Sequence, residues 1–136
     1  MAHTILPEVS GNFGDTPTLT FPEGADAPKG LRVQILHEGD GAIVRAGQEI
    51  EVNYHGQIWA GDIFDSSYYR GKPARFPIGV GMVIQGWDQA LVGKTVGSRI
   101  VISVPPTKGY GEAGNPRAGI AGTDVLVFVV DIISAK

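Results

Sequence analysis

Few groups in this 136-residue chain could do covalent chemistry, and their spacing argues against it. Gly109-Tyr110-Gly111-Glu112-Ala113-Gly114 has the GxGxxG spacing of a phosphate cradle. Such a cradle works only between a strand and a helix whose N-terminus meets the pyrophosphate. Here Asn115-Pro116-Arg117-Ala118-Gly119 follows, a helix-breaking run, and too little chain remains to complete a dinucleotide-binding unit. These glycines are expected to shape a loop. His3, His37 and His55 lie far apart with no carboxylate at ligand spacing, so a metal site is not expected and each reads as an exposed or turn residue. Ser66 and Ser67 have no nameable base beside them and read as hydroxyls that bond backbone in the turn after Asp65. Asp62 follows a glycine and reads as a solvated turn residue, not as one of a pair of acids with Asp65. The chain has no cysteine, which removes thiolate catalysis, disulfides and most zinc sites. No cofactor is expected.

What remains is aromatic. Five Phe, four Tyr and two Trp are spread so that Tyr54, Phe64, Phe76, Trp87, Tyr110 and Phe128 fall in six different segments, several at strand ends or beside breakers. Core packing accounts for any one of them. Asp65 directly after Phe64, and Arg70 five residues on, add polar groups that a plain core would exclude.

The elements that must position these rings are mostly strands. Leu31, Val33 and Ile35 alternate with Arg32 and Gln34, the period of a half-buried strand that ends at Gly39-Asp40-Gly41. Ile50 to Trp59 alternates again, with Ile50, Val52, Tyr54 and Gly56 on one side. Short strands are expected at Ile63 to Asp65 and Arg75 to Ile78, then Val96 to Val104, stopped by Pro105-Pro106. Val125 to Ile133 is the last and most apolar strand. One stretch, Val83 to Val92, has helical spacing, with Trp87, Ala90 and Leu91 on a shared face and Gly93 as its C′ stop, although Gly86 costs it about 1 kcal/mol relative to Ala. Residues 1–28, with Pro7, Pro17, Pro22 and Pro28, read as an extended N-terminal arm with at most one edge strand near Thr18 to Phe21, ahead of a domain at 29–136. The class is α+β: a bent antiparallel sheet of five to six strands around one short α-helix.

Composition sets the remaining bounds. Hydrophobic residues make up 43%, a globular value, and the chain is long enough for one domain with a real core. Gly 20 and Pro 9 imply many turns. Eleven Lys and Arg against fourteen Asp and Glu give −3 with no basic block, so neither nucleic acid nor an anionic membrane is an expected partner. Met1 to Ser10 shows no positive n-region or long apolar stretch, and the longest apolar run, Val125 to Val130, is far shorter than a membrane span. A soluble, cytoplasmic monomer is expected.

Six motifs, in order, carry a resemblance. LHEGDG (36–41), VNYHG (52–56), IFDSS (63–67), VIQGWDQAL (83–91), GYGEAG (109–114) and LVFVVDI (126–132) resemble the FKBP family of peptidyl-prolyl cis-trans isomerases, over roughly Lys29 to Ile133. The resemblance implies a bent antiparallel sheet over one short helix. It implies that Trp87 floors a prolyl pocket walled by Tyr54, Phe64, Phe76, Val83, Ile84 and Phe128. The Ile84 backbone N–H and the Tyr110 hydroxyl would donate to ligand carbonyls. Asp65 would sit at the rim, oriented by Tyr54 and near Arg70, with Met82 before the Val-Ile pair and Ile120 as the apolar residue of the flap. Proline-containing peptides and folding proteins would be the substrates, and macrolides of the tacrolimus and rapamycin type the inhibitors.

The chain departs from the family pattern at Ala74, where an edge aromatic is common, at Met82, at Asn115 in place of a flap histidine, and in a flap about one residue longer through Arg117-Ala118-Gly119. Sixteen residues between Tyr110 and Val127 leave no room for the inserted domain of some bacterial relatives. A binding module without turnover and a small-molecule carrier are the alternatives to an enzyme.

Overall fold

The computed structural model describes residues 6–24 and 26–136. His3 lies outside them, as do the first five residues of the arm. The strands are β1 (Glu8–Ser10), β2 (Thr18–Thr20), β3 (Arg32–His37), β4 (Glu49–Ile58), β5 (Ile63–Ser66), β6 (Ala74–Pro77), β7 (Arg99–Val104) and β8 (Leu126–Ala135). Two α-helices accompany them, α1 (Ser67–Arg70) and α2 (Gln85–Leu91). Six strands form one antiparallel sheet in the order β3-β7-β8-β4-β5, with β6 also paired to β4. β4 runs along β8 for its whole length, while its other edge is shared in turn by β6, at Glu49 to Val52, and β5, at His55 to Gln57. This is the α+β architecture read from the sequence, with one addition: α1 is a single turn, closed by Gly71 in the left-handed conformation.

Period-two alternation divides the sheet into two faces. Directly paired residues share a face, and the pairs Val52↔Ile132, Tyr54↔Val130, Gly56↔Phe128 and Ile102↔Phe128 put apolar side chains on the concave side. There they meet Trp87, Ala90 and Leu91 of α2 in the main core. Gly86, a cost for an isolated helix, lets α2 pack tightly on the sheet: a Cβ there would lie 2.9 Å from Val104. Val92 caps the helix and Gly93 follows with φ +93°.

The opposite face carries Val101, Val127 and Val129, and the arm covers them with Leu6, Val9, Leu19 and Phe21. Phe21 stacks edge-on against Trp59 at 5.1 Å. The arm therefore holds two strands, not the single edge strand expected: β1 and β2 pair as a hairpin, separate from the main sheet. A second correction concerns β3. Its alternation is real, but it is an edge strand that no element among the described residues covers, so all six residues are exposed, including Val33, Ile35 and Leu36. A third concerns His55, which is 1% exposed. Its ring nitrogens lie 3.4 Å from Ser66 Oγ and 3.2 Å from Gln57 Oε1, and Tyr69 stacks edge-on above it.

Candidate active site

A cavity of about 510 Å³ opens between the concave face and α2, within the size range of small-molecule sites. β4 supplies Tyr54, β5 supplies Phe64 and Asp65, β6 supplies Ala74 and Phe76, and β8 supplies Phe128. Met82, Val83 and Ile84 come from the loop before α2, Trp87 from the helix itself, and Tyr110 from the long loop between β7 and β8. Thus ten of the residues singled out from sequence meet around one space. Two do not line it. Ile120 is buried in the main core, its backbone bridging Asn115 within the flap. Arg70 stands outside the cavity and acts on its rim.

Trp87 lies at the centre. Its indole touches Tyr54 at 5.1 Å, Phe76 at 5.4 Å and Phe128 at 5.2 Å between ring centroids, and Phe64 packs edge-on against Phe128. All but the tilted Phe76–Trp87 pair are edge-on, a geometry aromatic pairs prefer. Gly56 makes the cluster possible, since a Cβ there would sit 2.7 Å from Phe64 and 3.0 Å from Phe128. The Trp87 Nε1–H is buried and has no hydrogen-bond partner among the described residues. The Ile84 N–H likewise meets no acceptor among them, while the Ile84 carbonyl is taken by Trp87 N at 3.0 Å.

The one polar cluster on the rim is closed on itself. The Tyr54 hydroxyl donates to Asp65 Oδ2, Arg70 Nη1 donates to Asp65 Oδ1, and Arg70 Nη2 donates to the Tyr54 oxygen at 3.0 Å. The guanidinium also lies over the Tyr54 ring at 5.5 Å. Burial and the bond to Asp65 raise the Tyr54 pKa, so its hydroxyl keeps its proton. The bond to Tyr54 holds the Arg70 guanidinium more firmly charged.

One support was not foreseen. Asp88, one turn into α2, accepts from Gly79 N at 2.7 Å and Gly81 N at 2.9 Å, and so fixes the loop that carries Met82 to Ile84. Its place beside Trp87 in a short helix gave no sign of this, though two glycines upstream of an acidic helix start are a usable cue. The glycines of GYGEAG shape the flap, as expected: Gly111 and Gly114 have φ of +68° and +62°. No group of three or more metal-ligating side chains occurs among the described residues.

A family model described as FKBP-type peptidyl-prolyl cis-trans isomerase matches residues 41–133, well over half of the chain. The chain belongs to that family. It is 38% identical over 121 residues to an FK506-binding protein of Streptomyces anulatus, covering 88% of this chain and 97% of that one. It is 43% identical over 108 residues to the peptidyl-prolyl cis-trans isomerase Mip of Coxiella burnetii, covering 79% of this chain and 45% of Mip. The crystal structure of AtFKBP13 superposes with a TM-score of 0.73 at 36% identity, over 80% of this chain and 95% of that one. The FKBP-type domain of this isomerase thus has its bent sheet and short helix in common with a solved relative. The aromatic cavity opens within that matched region.

Proposed function

We propose that the aromatic cavity is the prolyl pocket of this isomerase, taking proline-containing peptides and folding proteins and binding macrolides of the tacrolimus and rapamycin type. The observation that carries the reading is Trp87, lining a cavity of about 510 Å³ and packed against Tyr54, Phe76 and Phe128. A prolyl ring is apolar and fits such a floor. The free Ile84 N–H and the hydroxyl of Tyr110, a residue 39% exposed that lines the cavity, supply donors for the carbonyls on either side.

The chemistry follows from the bond that turns. Rotation about an amide costs about 18–20 kcal/mol because resonance gives the C–N bond double-bond character. The two X–Pro isomers differ by only about 0.5–1 kcal/mol, so the barrier is the obstacle, not the equilibrium. At the twisted transition state resonance is lost, and with it the charge separation of the planar amide. An apolar, water-poor cavity disfavours the planar form more than the twisted one. The two donors hold the segment in a turn, which removes orientational freedom before the twist begins. A millionfold acceleration requires about 8 kcal/mol of such differential stabilisation. No bond is made or broken covalently, so the step needs no nucleophile.

The test is a cis-to-trans assay on a short Leu-Pro-Phe-type peptide, with and without rapamycin. Catalysis abolished by stoichiometric macrolide is the expected result; folded protein without catalysis would overturn the reading. Trp87→Leu, which keeps most of the buried volume, is expected to lower kcat/KM with the fold retained. Asp65→Ala is expected to cost less activity than Phe64→Ala, and equal total loss in both would move the chemistry from the apolar wall to the carboxylate.

A further inference from the structure

On the face away from the cavity, Asp131 of β8 is fully buried and accepts from four donors. Arg99 Nε reaches its Oδ1 at 2.8 Å, and Arg99 Nη2, the Gly14 N–H and the Tyr68 hydroxyl all meet its Oδ2. Arg99 is itself 1% exposed and donates onward to the Ser10 and Asp15 carbonyls of the arm. Burial alone would lower the Arg99 pKa, but its bonds to Asp131 and Tyr68 more than offset that, and the guanidinium stays charged. Burial and Asp131 raise the Tyr68 pKa, so its hydroxyl remains a donor. The turn between β1 and β2 is thereby bolted to the sheet through a buried ion pair.

Tyr68 is the outlier in this cluster, because it belongs to α1. That helix has one turn, and three of its four side chains are tied down. Ser67 Oγ accepts from the Tyr54 N–H at 2.8 Å and donates to Asn53 Oδ1 at 2.9 Å. Tyr68 ties α1 to Asp131. Arg70, two residues on, holds Asp65 and Tyr54 at the cavity rim. Arg70 and Asp65 are half exposed, with 49% and 38% of their side chains open to solvent, so their pairing alone fixes little. What fixes Arg70 is the turn beneath it. A four-residue helix cannot hold its own shape, so the turn sits where its anchors put it: Ser67 on β4, and the Tyr68 hydroxyl on the buried ion pair.

We propose that Tyr68 is a positioning residue for the prolyl pocket, buttressed by the N-terminal arm through Asp131. It touches no substrate; it sets the angle from which Arg70 holds the Asp65–Tyr54 pair. This rests on the reading of the aromatic cavity as the prolyl pocket. The arm is then part of the working site although it lies behind the sheet.

The experiment measures kcat/KM for the peptide in the 136-residue chain and its variants, well below their melting temperatures. Tyr68→Phe keeps the ring and removes the hydroxyl, and is expected to lower kcat/KM about fivefold, the factor carried by one net hydrogen bond. Arg70→Ala is expected to do the same, and the double variant to be no worse than either alone, since both act along one route. Ile100→Val, a core change of similar stability cost, is expected to turn over like the parent. Leu19→Ala, which loosens the arm over Val101 and Val127, is expected to reproduce part of the Tyr68→Phe loss. Parent-like turnover in Tyr68→Phe, or losses that add fully in the double variant, would overturn the proposal. So would a loss in Ile100→Val as large as in Tyr68→Phe. Parent-like turnover in Leu19→Ala would overturn the share given to the arm. If Trp87→Leu is also fully active, the pocket reading itself has failed; if only Tyr68→Phe is, that reading stands and the positioning role does not.

Discussion

Strand β8 presents two chemistries three residues apart. Phe128 faces a cavity walled largely by rings, where the Trp87 Nε1–H and the Ile84 N–H have no partner among the described residues, whereas Asp131 faces a buried cluster in which its oxygens accept from four donors. The same backbone ladder holds both. On the proposed reading of the cavity, the few polar groups of the concave side favour a less dipolar transition state there. The outer side pairs the buried charges of Arg99 and Asp131 fully, because a half-satisfied network is worse than an apolar one. One face is held by a buried ion pair, and the other leaves an aromatic cavity open.

The sharpest way to break this contrast is to unpair the outer face. Asp131→Ala leaves the Arg99 guanidinium buried without a counter-charge and strips the Gly14 and Tyr68 donors, and is expected to cost about 3–5 kcal/mol in chemical denaturation. Joining it to Arg99→Met, so that both charges leave together, is expected to recover part of that stability; a double variant less stable than Asp131→Ala would show that Arg99 holds the arm by its carbonyl contacts alone.

A smaller loss is expected from the concave side. Gly56→Ala drives a methyl into Phe64 and Phe128, which must tilt or shift. Overpacking of this kind costs about 1–3 kcal/mol. The same change distorts the pocket wall, so kcat/KM for the peptide is expected to fall with stability. A variant that loses stability but not activity would show that the rings yield without disturbing the floor.

How much of this contrast the sequence could reveal depended on distance along the chain. The concave face was legible because each strand alternates and α2 has helical spacing, so Tyr54, Trp87 and Phe128 could be assigned to elements, and the family motifs joined them. The Arg99–Asp131 pair was not. Both residues sit at alternate positions of strands, where a polar side chain reads as solvent-facing, and only the register of β7 against β8 brings them together. Yet a signal was present. The run from Val125 to Val130 does not alternate, which marks a strand buried on both faces, and Leu6, Val9, Leu19 and Phe21 were the apolar residues available to cover Val127 and Val129. β3 is the converse case: its alternation was genuine, but its coverage depends on what lies beyond the sheet edge, which no local pattern encodes.

A mild gain is expected where the outer face departs from full satisfaction. The Ser103 hydroxyl is fully buried and has no partner among the described residues. Ser103→Ala removes a desolvated polar group without opening a large cavity, and is expected to stabilise the fold by up to about 1 kcal/mol. A destabilised variant would mean that the hydroxyl is satisfied by water within the sheet.

The smallest effect is one of pH, and it too belongs to the outer face. Burial lowers the His55 pKa below its ordinary 6.5, with the bond to Gln57 opposing the shift only in part. The folded protein therefore binds fewer protons than the unfolded chain between the two pKa values, and stability rises with pH across that window. His55 contributes its full share above about pH 6.5 and loses it progressively as the pH falls toward the folded value. The slope cannot exceed about 1.4 kcal/mol per pH unit for a single proton. Carboxylates add their own acid loss, so the measurement is a difference: urea denaturation of the parent and of His55→Gln at pH 8 and pH 5. The parent is expected to lose more stability between the two than the variant. Equal losses would show that the ring is solvated when protonated, and that Tyr69, 65% exposed above it, opens readily enough to let water in.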